Sequence, residues 1–230
     1  MSLAHQTIAR QLQAVTNLYQ VLETDQYQSI VQLVTEVAVD KYRTRVLMAG
    51  VGKNANIAAK IAETMASLGI PAMPLNVSQG GPGDHGFVGP NDLLIHISRS
   101  GTTREMLVAI EHICLIRPDV TQILIHCKAD KPVNPHVAFE LFIGAVQEGD
   151  EHGLAPTTST TALLCILDCI SVEASHNAGF QRLDFLKFHP DGTLGDLLKK
   201  EQATEIPPEL VIDLDPPEVG VHVTNLNEVV

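Results

Sequence analysis

Short apolar runs alternate with helical patterns along most of this chain. Each run ends at a turn rich in glycine, hydroxyl or other polar residues, and helical stretches such as 57–62 and Glu105–Ile116 follow some of them. Because strands joined by helical crossovers favour parallel pairing, the pattern predicts an α/β fold with a doubly wound parallel sheet. The five candidate strands are residues 45–49, 71–75, 93–97, 122–126 and 139–143.

Helical periodicity also dominates both sides of this alternation. Residues 4–39 carry two helical patterns that break near 24–26, which predicts an N-terminal helical hairpin. A long helix rich in small residues is predicted from Thr158 to about Ala178. We therefore expect one domain over residues 1–200, followed by an acidic, proline-containing surface extension over residues 201–230.

Composition narrows the function classes. Hydrophobic residues make up 45% of the chain but aromatic residues only 4%, so aliphatic side chains must fill a layered core. The net charge of -12 argues against non-specific nucleic-acid binding, although backbone N–H groups can still hold a small anion. The N-terminus lacks a basic start followed by an apolar run, and no uninterrupted apolar span of membrane length follows. We expect a cytoplasmic protein that does not bind a membrane.

Cysteine and histidine spacing gives little support to metal or redox chemistry. The four cysteines form no CxxC pair, and we interpret them as buried thiols. No HExxH motif occurs, and His152 beside Asp150 and Glu151 is the best local cluster of metal-ligand types. We predict no metal and no cofactor.

Two loops are predicted to lie at the ligand-binding edge of the sheet, because ligands bind beyond the carboxyl ends of its strands. Residues 50–54 lack the third glycine of a dinucleotide fingerprint and the ending of a P-loop, so alone they also fit a tight turn with a solvated Lys53. Residues 98–103 place four hydroxyls and one guanidinium before a helix, a composition suited to phosphate. The alternative for this second loop is helix capping by Ser100 or Thr102.

A third hydroxyl-rich stretch, residues 153–161, opens the long helix. Its hydroxyls can cap that helix, satisfy packed backbone groups or border a ligand, and the sequence leaves these three interpretations open.

Taken together, these motifs resemble the sugar-isomerase (SIS) domain family, in particular an arabinose 5-phosphate isomerase branch without CBS domains. The resemblance implies a three-layer α/β/α sandwich around a five-stranded parallel sheet. It also implies a phosphorylated sugar as ligand and a homodimer or homotetramer with shared active sites. The motifs that carry it are residues 50–53, 97–101 with Glu105, 153–161 and 188–195.

The resemblance also implies roles for individual residues. The catalytic lysine, glutamate and histidine of the family correspond to Lys53, Glu105 and His189, and His189 is expected to complete the site of a neighbouring subunit. Phosphate is expected at the second loop. The predicted substrate-binding residues are Gly52, Asn54, Ser98, Arg99, Ser100, Thr102 and Thr103.

Two positions depart from the family pattern. Asn54 stands where the family has serine, and Pro82 where it has a catalytic histidine; His85, three positions later, is the candidate replacement. We therefore predict an aldose-ketose isomerase acting through a cis-enediol. The alternatives are a phosphosugar-binding regulatory or sensor protein with weakened catalysis, and a lyase or epimerase.

Overall fold

Twelve regular elements organise the part of the chain that the structure covers. The structure is a computed structural model that describes residues 2–40, 44–77, 83–130 and 133–189, except for the side chain of residue 186. The elements are α1 (Leu3–Leu22), α2 (Asp25–Val39), β1 (Val46–Gly50), α3 (Lys53–Ser67), β2 (Ala72–Asn76), a 3-10 turn (Asp84–Phe87), β3 (Leu93–Ser98), α4 (Arg104–Ile116), β4 (Thr121–His126), β5 (Phe139–Phe142), α5 (Thr158–Asn177) and α6 (Arg182–Phe188).

The five strands form one parallel sheet in the order β2-β1-β3-β4-β5. Each predicted strand agrees with an observed one to within one residue at either end, so the predicted sheet is confirmed. Strand β1 pairs with β3 such that Gly50 lies opposite Ile97. The chain therefore reverses its direction of winding between β1 and β3, the place where a doubly wound sheet binds its ligands.

The two faces of the sheet are covered unequally. Alternate side chains of β1 and β3 point to opposite faces, so Met48 and Ile95 enter one core while Leu47 and Leu94 enter the other. The larger core also contains residues of α1, α2, α3 and α5, whereas the smaller one is closed by α4 and the chain near the 3-10 turn. This arrangement confirms the predicted three-layer sandwich.

Side-chain N-caps determine where the two N-terminal helices begin. The Ser2 hydroxyl accepts a hydrogen bond from the His5 N–H, and the Thr24 hydroxyl accepts one from the Tyr27 N–H, so the second helix begins where the sequence pattern breaks. Both helices pack against α5.

Helix α5 is the centre of the larger core. By length and composition alone it could cross a membrane, but more than half of its most apolar stretch is buried inside the fold. Its buried face, which includes Leu163, Ile166 and Ile170, packs with residues of α1, α2 and α3. Its hydrophobicity is therefore that of a core helix.

Some features were not predicted. Helix α6 and the 3-10 turn are elements that the sequence pattern does not predict, and α3 begins at Lys53 rather than at residue 57. The compact unit ends at Phe188, and a second unit begins at His189. Residues 190–230 lie outside the described residues, so the boundary at residue 200 and the C-terminal extension stay predictions.

Candidate functional site

The loop of residues 98–103, called here the phosphate loop, is shaped by its own side chains. Ser98 is buried at the end of β3; its Oγ accepts a hydrogen bond from the Gly101 N–H at 3.0 Å and lies 3.1 Å from Thr103 Oγ1. Ser100 Oγ accepts a bond from the Thr102 N–H at 3.2 Å. Gly101 has a φ of 64°, which other residues adopt rarely. The loop is thus held in one conformation from within.

The start of α4 is available to an anion. Its N-cap is Thr103, whose side chain makes no capping hydrogen bond, so the proposed capping by Ser100 or Thr102 is wrong. The first N–H groups of a helix have no partner inside the helix, and its dipole favours negative charge there. An anion at residues 103–105 would satisfy these donors. Glu105 lies exposed on this first turn.

A fully buried carboxylate ties the phosphate loop to the start of α5. Glu148 forms an ion pair with Arg99, whose Nε lies 2.9 Å from Glu148 Oε1. It also accepts bonds from the N–H groups of Thr157 at 2.8 Å and Ser159 at 3.2 Å, and from their hydroxyls at 3.3 and 2.5 Å. The sequence left three roles open for the hydroxyls of residues 153–161: helix capping, hydrogen bonding to buried groups, or ligand contact. Thr157 and Ser159 have the second role, because both bond the buried Glu148 carboxylate. Glu148 was not among the predicted site residues.

These contacts also fix the charge of Glu148. Burial alone would raise its pKa, but the hydrogen bonds from Ser159 and Thr157 and the Arg99 guanidinium lower the pKa on balance. Nearby, burial and the Glu148 charge raise the pKa of the Cys127 thiol to about 12, although Arg99 acts in the opposite direction. Glu148 is therefore an anion at neutral pH, whereas Cys127 is an unreactive neutral thiol.

The turn of residues 50–54, called here the Lys53 turn, is held by backbone geometry. A Cβ added at Gly50 would lie 2.3 Å from the Asn54 carbonyl oxygen, so only glycine fits beneath the start of α3. Gly52 has φ 61° and ψ -123° and is the N-cap of α3, which no side chain caps. Because β1 pairs with β3, this turn lies beside the phosphate loop. Lys53 is exposed on it.

A cavity of about 410 Å³ borders the other side of the phosphate loop. Its lining comes from the loops that follow β3, β4 and β5, and it contains two cations, Arg99 and Lys128. Lys53 follows β1 on the opposite side of β3. The phosphate loop therefore stands between this cavity and the Lys53 turn. The lining residues are Arg99, Ser100, Cys127, Lys128, Ala129, Asp130, Ala145 and Val146.

His85, the candidate replacement for the family histidine, is buried against α4. Its Nδ1 lies 2.6 Å from His112 Nδ1. His112 follows Glu105 by seven residues, about 10 Å along the helix axis. Burial and His112 lower the pKa of His85, and Asp84 partly offsets them. A catalytic role for His85 stays a prediction, and Pro82 lies outside the described residues.

His96 lies on β3, two residues before Ser98. It is completely buried; its Nε2 lies 2.9 Å from Gln122 Oε1, and its Nδ1 has no hydrogen-bond partner among the described residues. Burial lowers its pKa to about 4, with Gln122 acting in the opposite direction. The ring is therefore neutral at physiological pH.

The remaining predicted residues occupy different surroundings. Asn54 is half-buried and donates its N–H to the Val51 carbonyl at 3.2 Å, while Thr102 is exposed. His189 directly follows α6 and begins the second unit, so its catalytic role stays a prediction.

The acidic turn at residues 150–152 is stabilised by hydrogen bonds between a side chain and the backbone. The Asp150 carboxylate accepts hydrogen bonds from the N–H groups of His152, Leu154 and Ala155. Within the part of the chain that the structure covers, no three potential metal ligands gather into a site.

Sequence comparison relates the chain to bacterial sugar-phosphate isomerases. It is 33% identical over 190 residues to the arabinose 5-phosphate isomerase KpsF of Escherichia coli O6:H1 strain CFT073, covering 83% of this chain and 56% of that protein. It is 35% identical over 158 residues to the arabinose 5-phosphate isomerase KdsD of Yersinia pestis, covering 69% and 48%. The chain thus spans about half the length of the curated relatives it matches. No family model matches it.

Solved structures give the same relation over nearly their full length. A Bacteroides fragilis protein assigned as a phosphosugar isomerase involved in capsule formation is 32% identical with a TM-score of 0.73, covering 80% of this chain and 94% of that one. The chain belongs to the sugar-isomerase (SIS) domain family. An E. coli CFT073 protein in complex with arabinose 5-phosphate, 27% identical with a TM-score of 0.71, covers 82% of this SIS chain and 96% of its own.

Proposed function

We propose that this SIS protein is a phosphosugar aldose-ketose isomerase of the arabinose 5-phosphate isomerase type. The observation that carries the proposal is the adjacency of the phosphate loop and the Lys53 turn at the switch point between β1 and β3. The identity to isomerases named for arabinose 5-phosphate supports this substrate class.

The phosphate loop is the proposed anion site. The free start of α4 offers N–H groups, and Ser100 and Arg99 add a hydroxyl and a charge. The ion pair with Glu148 uses Nε of Arg99, and no further partner of the guanidinium is seen in the described residues. A phosphate bound here supplies acceptors for both groups.

The proposed reaction moves one hydrogen between C1 and C2 of the open-chain sugar. Glu105 removes the proton from C2 of the aldose while O1 gains a proton, which gives a cis-enediol. Return of the proton to C1 and loss of the O2 proton then gives the ketose. Lys53 stabilises the developing oxyanion, and His189 carries a proton to or from oxygen.

Isomer formation from a phosphosugar panel, followed by NMR, tests the proposal. Removing the base in Glu105→Gln is expected to lower turnover about 10²–10⁴-fold. Glu111→Gln is the matched control, because Glu111 is an exposed glutamate on the same helix. The proposal is wrong if the wild-type protein binds members of the panel and converts none.

A phosphosugar-binding sensor is the second candidate function. It is favoured by His85, whose Nδ1 is engaged by His112, and by the departures at Asn54 and Pro82. Binding without conversion would support it, whereas products other than the simple isomer would indicate a lyase or epimerase.

We further propose a cytoplasmic homodimer or homotetramer with shared active sites and without membrane or nucleic-acid ligands. An apolar groove of about 790 Å³ runs between α1 and α5, with Val15, Leu164 and Val172 in its lining, and supports self-association. Light scattering measures the assembly. Mixing Glu105→Gln and His189→Asn subunits should restore activity if one site uses both subunits, and no recovery would contradict sharing.

A further inference from the structure

The N-terminal helix contacts the segment that holds Arg99. Arg10 Nη1 donates a hydrogen bond to the Glu148 carbonyl oxygen at 2.7 Å. Thr7 Oγ1 lies 2.9 Å from the Gly149 carbonyl oxygen and shares its one proton between this acceptor and the Leu3 carbonyl, also at 2.9 Å. The contacts with Glu148 and Gly149 join residues more than 130 positions apart in the chain. Helix α1 therefore contacts the carbonyl groups on both sides of Gly149, the residue that follows Glu148.

The approach is close enough to exclude a side chain. A Cβ at Gly149 would lie 2.5 Å from Thr7 Cγ2 and 3.1 Å from Thr157 Oγ1. The Gly149 N–H donates to Thr157 Oγ1 at 2.7 Å. Residues 148–149 thus pack between α1 and the start of α5, and their position depends on both helices.

Glu148 belongs to this segment, and its carboxylate forms the ion pair with Arg99. Because the Glu148 side chain is fully buried, the geometry of the ion pair follows the position of the Glu148 backbone. A displaced Glu148 would move the guanidinium relative to the start of α4. From these contacts we infer that Arg10 is a positioning residue for the anion site, acting through the Glu148 backbone on Arg99. The inference rests on the proposed function only in taking the phosphate loop as the anion site.

A double-mutant cycle tests this inference with inorganic phosphate as the probe, its Kd measured by titration of the full chain. Arg10→Ala should weaken phosphate binding about 5- to 20-fold, less than the roughly 10- to 150-fold loss of a whole hydrogen bond involving a charged group, because Arg10 acts on the phosphate only through Arg99. In the Arg99→Gln background the same substitution should change the Kd less than about twofold, because coupled residues are not additive. Arg10→Lys should restore part of the affinity, since an ammonium also donates to a carbonyl.

Gln13→Ala is the matched control, as Gln13 is exposed on α1 and its side chain donates a hydrogen bond to Asn17 on the same helix. An unchanged Kd for Arg10→Ala would overturn the inference, and so would an equal loss in both backgrounds. If Arg99→Gln removes measurable binding, NMR exchange of the Arg99 Nε–H replaces the cycle. That exchange should be faster in Arg10→Ala than in Gln13→Ala, and equal rates would overturn the inference.

The proposed reaction and the positioning role of Arg10 are tested by different measurements, so one can be wrong without the other. A wild-type chain that binds phosphate but converts no sugar defeats the proposed reaction and leaves the Arg10 test intact. A chain that isomerises normally with an Arg10-independent Kd defeats only the positioning role.

Discussion

The phosphate loop and the Lys53 turn lie side by side and are stabilised in different ways. The hydroxyls of Ser98 and Ser100 accept backbone hydrogen bonds that stabilise the phosphate loop. Glu148 links the loop to the start of α5 through Arg99. The Lys53 turn is held by the fit of Gly50 beneath α3 and by the backbone conformation of Gly52. One loop is fixed by polar side chains and the other by the absence of side chains.

This difference corresponds to the two tasks proposed for the site. In a rigid loop the donors are already arranged around the phosphate position, so less conformational entropy is lost on binding and the affinity is higher. An exposed lysine on a glycine turn keeps its side chain free to follow a developing charge. Substitutions should therefore separate binding from turnover.

Among the substitutions that compare the two loops, Lys53→Met should give the largest effect. Loss of one oxyanion-stabilising group typically lowers kcat about 10²–10³-fold, while the Kd for inorganic phosphate should change far less. Kinetics on an accepted phosphosugar and phosphate titration measure the two. Lys60→Met is the control, since Lys60 lies on the same helix and pairs with Asp168. Equal losses in kcat and phosphate affinity would remove the distinction between the two loops.

Glu148→Gln should destabilise the fold by about 1.5–3 kcal/mol at neutral pH, because hydrogen bonds to a charged group are lost. A carboxyl whose pKa is lower in the folded state stabilises the fold above its unfolded pKa of about 4.3 and stops doing so as pH falls through its folded pKa. The difference from wild type should therefore shrink in acid. Denaturant unfolding at pH 7 and near pH 3 measures it.

The exposed neighbour Glu151 provides the control substitution Glu151→Gln, which should be neutral. A deficit in Glu148→Gln that stays constant with pH would show that shape, rather than charge, holds the phosphate loop.

Gly50→Ala should cost about 1–3 kcal/mol, because the added Cβ meets backbone atoms of Asn54 and Ala55 that only a shift of α3 can relieve. Turnover should fall along with stability, since Lys53 moves with the helix. Gly83→Ala is the control: a Cβ there has nothing within 4 Å, and Gly83 has an ordinary negative φ. Thermal unfolding compares the two, and equal melting temperatures would contradict the fit described for Gly50.

Ser98→Ala should have the smallest effect, a loss of about 0.5–1.5 kcal/mol for its internal hydrogen bonds. Ser100→Ala should affect phosphate affinity more than stability, because Ser100 lines the cavity. Parallel unfolding and phosphate titrations of both variants check this. The reverse pattern would mean that Ser98 rather than Ser100 contacts the ligand.

The sheet was predictable because its strands are short apolar runs bounded by strong turn signals. Residues 93–97, for example, are consecutive and apolar apart from His96, and the observed strand extends them by Ser98 alone. Helix α6 was missed because seven residues make fewer than two turns, which is too short for periodicity to stand out. A short apolar run between turn signals is therefore enough to predict a strand, whereas a helix needs a longer periodic pattern.

Within the site, the sequence indicated the loops but not the contact between them. Glu148 lies in an acidic segment, where a solvated side chain is the ordinary expectation, since glutamate is rarely fully buried. Its position shortly before Thr157 and Ser159 was the available signal, because a carboxylate can cap the start of a helix. The contact of Arg10 with the same residue depends on tertiary packing, which no local pattern encodes.

The buried ring of His96 couples folding to acidity. An unfolded histidine has a pKa of about 6.5, whereas the folded value is about 4. At a pH between these values the unfolded chain carries a proton on this ring and the native chain does not, so folding releases close to one proton. Native stability should consequently fall as the solution is acidified from about pH 6.5 toward pH 4, and calorimetry in buffers of different ionisation enthalpy should detect the release.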